Sequence, residues 1–257
     1  MRVLFLGNNR VGLEVLKHLR QNGDEIVGLV LHPVEKSRFR SEIIEVSGVD
    51  KSGIFSAPDL KKTGILDRIR SLNPEIVLSI YFGYILREPF LNMFPDRIIN
   101  LHPAYLPFNR GGYPNVWSII DGTPAGATLH FIDPGVDTGD IIAQKSVDVD
   151  ITDTGISLYG KLEEACISLF KEQWQNIASG NYIRQKQSAE NGTIHRDHDV
   201  GGIDLIDLEK NCKAGELINL LRARTFPPYD GTYFIQDGRK IFMRLELYEK
   251  PDEALTD

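Results

Sequence analysis

Asn100 and His102 stand one residue apart at the end of an apolar run, and Pro103 follows at once. Alternation along a strand puts both side chains on one side. In "NLHPAYLPFNRGGYPNVW", residues 100–117, prolines and an adjacent glycine pair then stiffen the chain. Further on, "FIDPGVDTGDII" sets Asp133 and Asp137 in a segment rich in turn formers. The ordinary reading of a lone histidine at a strand end is structural. An asparagine partner and a rigid loop point instead to a site. The three residue types form a chemical set. An imidazole exchanges protons near neutral pH, a carboxylate beside it orients the ring and raises its pKa, and an asparagine N–H donates to an oxyanion. Neither segment places a serine or cysteine as an obvious nucleophile. The set therefore suits direct transfer of an acyl group from donor to acceptor, provided that adjacent strands carry the two loops.

The elements that must position this set can be read from periodicity. Apolar runs at Arg2–Leu6, Glu25–Leu31, Ile54–Ala57, Glu75–Ile80 and Arg97–Leu101 alternate with helix patterns at 11–20 and 65–72. Nearly continuous apolar strands alternating with helices predict a doubly wound, mostly parallel α/β sheet covered on both faces. Two more strands are expected at 125–132 and 140–149. The longest helix is expected from Thr154 to Ala178, capped by Thr152 or Thr154. After Gly180 the character changes. A short helix at 214–223 and two strands, 232–236 and 240–248, joined by "QDGR", predict a small hairpin lobe. The organisation expected is a core over 1–180 and a small segment over 181–257. Ligands of such sheets bind beyond the carboxyl ends of the strands, which directs attention to residues 7–10, 81–86, 100–113 and 133–139.

Composition narrows the function. The 257-residue chain has a formal net charge of −7, which argues against nucleic acid as the main partner. Two cysteines, Cys166 and Cys212, make no disulfide framework and fit a reducing compartment. No membrane span or signal peptide is expected, so a cytoplasmic protein is. "GNNRVG", residues 7–12, lacks the middle glycine of a dinucleotide fingerprint, and the second strand ends in Leu31-His32-Pro33 rather than near an acid. Asn9 and Arg10 are instead candidates for a substrate phosphate at the helix N-terminus. His195 and His198 have no cysteine or third ligand nearby, so no metal is expected. Cys166 and His130 are expected in the core.

"NLHPAYLP" followed by "GATLHFIDPGVDTGDII" resembles the formyltransferase family that uses N10-formyltetrahydrofolate. That family includes glycinamide ribonucleotide transformylase, methionyl-tRNA formyltransferase and the sugar N-formyltransferases. The resemblance spans roughly residues 1–180. It implies catalysis by Asn100, His102 and Asp137. The first two would stabilise a tetrahedral adduct, while Asp137 sets the histidine and manages protons. It also implies a folate slot over "YFGYIL", with Phe82, Gly83, Tyr84, Ile85 and Leu86 against the pterin, and Asp133 and Gly135 on its other side.

Among the branches, the acidic chain and short C-terminal segment argue against tRNA, and a chain extending past residue 200 argues against glycinamide ribonucleotide. "LPFNRGGYPNVW" and "RARTFPPYDGTYF" resemble the sugar N-formyltransferases. The acceptor implied is a nucleotide-linked amino sugar, a dTDP- or GDP-4-amino-4,6-dideoxyhexose of the kind built into bacterial surface polysaccharides. Arg222 and Arg224 are candidates for its pyrophosphate, Phe226 or Tyr229 for the base, and Asn109, Arg110 and Tyr113 for the phosphate or sugar. The resemblance implies a homodimer. Two alternatives stay open: a different small amine, and a non-catalytic folate or nucleotide binder.

Overall fold

A computed structural model describes residues 1–188 and 192–250. In chain order its elements are β1 (Arg2–Gly7), α1 (Asn9–Gln21), β2 (Glu25–Leu31), α2 (Arg40–Ser47), β3 (Ile54–Ser56), α3 (Thr63–Ser71), β4 (Ile76–Ile80), α4 (Phe90–Met93), β5 (Ile98–His102), β6 (Arg110–Gly111), α5 (Pro114–Asp121), β7 (Ala125–Phe131) and β8 (Ile141–Val147). They continue with α6 (Gly155–Ala178), β9 (Ile194–His195), α7 (Asp199–Gly202), α8 (Ala214–Arg224), β10 (Tyr233–Gln236) and β11 (Arg239–Phe242). Seven strands form the main sheet in the order β3-β2-β1-β4-β5-β7-β8. The first five pair in parallel, as the strand–helix alternation predicts, whereas β7 runs antiparallel to both β5 and β8.

The pleat sorts side chains between two layers. Val3, Phe5, Ile99 and Leu101 share one apolar cluster with Leu16 and Leu19 of α1 and Phe170 and Trp174 of α6. Leu4, Leu6, Val77 and Ile98 join Leu66 and Ile69 of α3, Phe90 and Phe94 on the other face. Each such fully buried side chain contributes about 1.5–3 kcal/mol relative to exposure. Asn100 and His102 continue the second row, beyond the cover of α3. Cys166 lies fully buried in the first layer, where desolvation pushes its thiol up to about 12. It is a packing residue there, as expected.

Four helices escaped the periodicity: α2, α5 and the single-turn α4 and α7. In α2, "RSEIIEVS" offers only Ile43 and Ser47 to the interior, too few for a clear stripe. The rigid loop after β5 ends earlier than its composition suggests. Tyr113 takes a left-handed φ of 56° and Pro114 starts α5, where a missing N–H costs nothing. The final strand is also shorter than expected. Past Phe242 the chain leaves the hairpin, and the Met243 and Leu245 N–H groups donate to the Thr232 carbonyl and Thr225 Oγ1. Helix α6 is capped by Thr154, whose N–H donates to Ser157 Oγ at 2.9 Å in a reciprocal capping box. Thr154→Ala should cost about 1 kcal/mol of unfolding free energy by urea titration, with little change in the denaturant slope.

Candidate active site

The site is built on the antiparallel seam. Asn100 pairs with His130 across β5 and β7, and Leu101 with Leu129. Leu101 and Leu129 face the α6 layer, so Asn100, His102 and His130 share the opposite face. His130, expected to be a satisfied core residue, is buried but belongs to this site. Its Nδ1 lies 2.8 Å from the Phe131 carbonyl and must donate to it. In the neutral ring, Nε2 is then an acceptor for Asn100 Nδ2 at 3.1 Å. That bond fixes which way the Asn100 amide points and leaves its second N–H for another partner. His102 Nε2 donates to the Asn109 carbonyl at 3.2 Å and stands 3.7 Å from Asp137 Oδ2. Its Nδ1 is the nitrogen left for proton exchange.

The Asp133–Gly139 loop was expected beyond the carboxyl ends of the strands. Because β7 is antiparallel, the loop leaves it beside Ile99, at the opposite end of β5. It turns back along the sheet face until Asp137 reaches both histidines. Asp137 Oδ1 lies 3.5 Å from His130 Nε2, and Oδ2 accepts from the Gly111 N–H at 2.9 Å. Burial pushes this carboxyl up, but the His102 and His130 rings when protonated, together with the Gly111 N–H, outweigh it and hold it well below the ordinary aspartate range.

These groups line one wall of a cavity of about 680 Å³. The loop after β4 forms another wall. Phe82 and Leu86 are anchored in the core below, and Ile85 is exposed. His32, whose charge is disfavoured by burial, sits edge-on between the Phe82 and Tyr84 rings and accepts from the Gly83 N–H at 3.3 Å. Asp133 and Gly135 line the same cavity, but Asp133 Oδ1 is engaged by the Gly135 N–H and by Thr138 Oγ1 at 2.6 Å. Tyr113 and Tyr159 also line it.

Most of the polar residues expected to hold the acceptor are engaged elsewhere. Asn9 is buried at the start of α1, with Nδ2 donating to Tyr159 Oη at 3.1 Å and Oδ1 capping the Val11 N–H. Arg10 pairs with Glu163 and Glu164. Asn109 is fully buried, its amide donating to Ser118 Oγ and Thr123 Oγ1. The Arg110 guanidinium is directed to Gln187 Oε1. Arg222 is buried and ties α8 to the Asp150 and Asp153 carbonyls, while Arg224 forms a two-pronged pair with Asp204. None of these six lines the cavity. In each case the partner is an internal carboxylate, carbonyl or hydroxyl oxygen. Phe226 and Tyr229 are also outside the lining, but they adjoin it through Tyr159. Phe226 meets Tyr159 edge-on at 5.5 Å, and Tyr229, half exposed, is bonded by Arg38. Tyr159 and Arg38 carry no motif of their own, and only the fold brings them here. His195 lies flat on Trp117 at 4.0 Å with Nε2 3.0 Å from Asp121, and His198 adjoins Asp199. Among the described residues no group of three or more His, Cys, Asp or Glu side chains is arranged to hold a metal ion.

Residues 1–172 match the formyl transferase family, and residues 199–249 match the N-formyltransferase dimerization C-terminal domain. The chain belongs to the formyl transferase family. Over 208 residues it is 33% identical to a dTDP-4-amino-4,6-dideoxyglucose formyltransferase of Mycobacterium tuberculosis, covering 80% of this chain and 88% of that one. The structure of a 4-N formyltransferase from Francisella tularensis is similar, with a TM-score of 0.81 at 30% identity over 97% of this chain and 98% of that one. The formyltransferase PseJ from Anoxybacillus kamchatkensis, in complex with UDP-4,6-dideoxy-4-formamido-L-AltNAc and tetrahydrofolate, gives 0.58 at 29% identity over 79% and 89% of the two chains.

The Asp137 environment has a pH signature. The folded protein holds this carboxyl ionised to lower pH than the unfolded chain, whose aspartates titrate near about 3.9. Its stabilising contribution is complete above that range and is lost as pH falls below it. Asp137→Asn should therefore flatten the loss of stability between about pH 4 and pH 2, read from urea midpoints. An acid limb identical to that of the wild type would show that the carboxylate gains nothing from the two imidazoles.

Proposed function

We propose that the protein transfers the formyl group of N10-formyltetrahydrofolate to the amine of a nucleotide-linked 4-amino-4,6-dideoxyhexose, carried on thymidine or guanosine diphosphate. The observation that carries the reading is the convergence of Asn100, His102 and Asp137 on a cavity whose facing wall is the 82–86 loop. Family membership and the named activities of the similar proteins support it. The cavity suits the donor: its volume lies in the range of small-molecule sites, and an exposed Ile85 beside aromatic rings offers a flat apolar wall.

When bound, the donor supplies an activated formyl carbon. The chain's own residues supply position and charge. The Asn100 N–H left over from His130 and a protonated His102 Nδ1 donate to the oxygen on which negative charge develops as the amine attacks. Asp137 keeps the His102 ring oriented, its Oδ2 standing 3.7 Å from Nε2. The C–N bond to the acceptor forms, the bond to N10 breaks, and the proton lost by the amine passes to the leaving nitrogen with His102 as the relay. No serine or cysteine is needed.

The nucleotide lies outward from the sugar, past Tyr113 and Tyr159, with its base against Phe226 or Tyr229 and its phosphates toward Arg38. Arg38 takes the place expected of Arg222 and Arg224. The protein works as a homodimer through the hairpin lobe, where Ile235, Ile241 and Phe242 are exposed. Residues 1–180 are the catalytic core and 181–257 the appended segment. Among the described residues no helix is long and apolar enough to cross a membrane, and the reaction is placed in the cytoplasm, supplying surface-polysaccharide precursors.

Mass spectrometry of reactions with the donor and separate thymidine- and guanosine-diphosphate 4-amino and 3-amino sugars tests the reading. A formyl mass gain on one 4-amino sugar nucleotide is expected, and a gain on glycinamide ribonucleotide alone would overturn the choice of acceptor. His102→Ala and Asp137→Asn should each lower kcat by about 100-fold or more with the fold intact. Arg38→Ala should raise the acceptor KM by about tenfold and leave the donor KM alone.

A further inference from the structure

We infer that Gln187 is a positioning residue for Asp137: its side-chain amide holds the backbone of the turn that presents the carboxylate. The inference rests on the role given to Asp137 above.

After α6 the chain returns along the outer edge of β8. Gln185 exchanges both backbone hydrogen bonds with Ile141, at 2.8 and 2.9 Å. Arg184 Nε pairs with Asp140 Oδ2 at 3.0 Å, and its guanidinium lies 4.1 Å from the centre of the Phe131 ring. This short strap delivers the Gln187 side chain to the Asp137 turn. Gln187 Nε2 donates to the Asp137 carbonyl at 2.8 Å and to the Gly139 carbonyl at 2.7 Å. Its Oε1 accepts from Arg110 Nε at 3.1 Å and Nη2 at 2.8 Å. A guanidinium can only donate, so the amide oxygen must face Arg110 and the amide nitrogen must face the two carbonyls. Every hydrogen-bonding position of the amide is used.

The turn needs such a clamp. Asp137 holds a φ of 52°, a region that costs a non-glycine residue energy. Gly139 is packed so closely that a Cβ there would lie 1.9 Å from the Phe131 carbonyl. Two carbonyls of this strained turn converge on one NH2 group. The contacts also close a ring. Arg110 fixes Gln187, Gln187 fixes the Asp137 backbone, and the Asp137 carboxylate accepts from the N–H of Gly111, the residue after Arg110. Backbone and carboxylate of one aspartate are thus tied to consecutive residues of β6. Without the amide, the turn can relax and carry the carboxylate away from His102.

Gln187→Glu is the discriminating substitution. It keeps the size and the Arg110 pairing but turns an acceptor toward each of the two carbonyls. The expected result is a kcat lower by about 10- to 100-fold, with the KM values of both substrates within about twofold of wild type. Arg110→Met, which leaves Gln187 without its orienting donor, should show the same split and covers the case in which Gln187→Glu does not fold. Wild-type kcat in a folded Gln187→Glu, or a raised acceptor KM with unchanged kcat in Arg110→Met, would overturn the proposal. Asp137→Asn measured in parallel separates the two levels. If it is inactive while Gln187→Glu is fully active, only the positioning role falls. If Asp137→Asn is itself fully active, the role of the carboxylate falls and the clamp with it.

Discussion

The pairing of β5 with β7 is the constraint on which the site depends. With Asn100 opposite His130, the amide and the imidazole meet on one face and each orients the other. A one-residue slip would send His130 to the α6 face and leave Asn100 without its acceptor. The antiparallel direction matters as much as the register. It starts the Asp133–Gly139 loop at the far end of the neighbouring strand, and the loop must double back to bring a carboxylate within reach of two histidines. The left-handed Asp137 and the absence of a side chain at Gly139 follow from the tightness of that return.

Charge in this molecule is largely spent on its own architecture. Arg10, Arg110, Arg222 and Arg224 all reach internal acceptors, and Arg222 does so while buried. A guanidinium taken out of water must satisfy its donors close by, and carbonyls at a loop before a helix are ready acceptors. The cavity lining combines aromatic and aliphatic side chains with Asn100, His102, His130 and Asp137, and Arg196 and Asp197 also line it.

The sequence made some of this legible and hid the rest for identifiable reasons. Strand β2 falls where its apolar run predicts, and α6 starts at the threonine that its capping pattern marks, because both signals are local. The short spacing of Asn100 and His102 is likewise local, and one strand delivers it. An apolar strand around His130 predicts a core residue, and buried it is, but only the pairing across β5 shows which way it faces. The arginines of "RARTF" reach Asp204 and the Asp150 and Asp153 carbonyls, partners that a motif, which gives residue type alone, does not reveal. Helix α5 was hidden by the glycine and proline content of the loop that precedes it. Gln187 has no sequence signal, since its role depends on a return path over the edge of the sheet.

That return path has a second effect, on solubility. A seven-stranded open sheet has two edges, and unpaired edge strands invite pairing with other molecules. Here β3, at one end, is only three residues long. At the other end, Gln185 occupies the rung beside Ile141 and Arg184 sets a cation over the adjoining ring. The segment that steadies the Asp137 turn therefore also blunts the exposed border of β8. Loosening it would expose a template for aggregation at the same moment that it slackened the site.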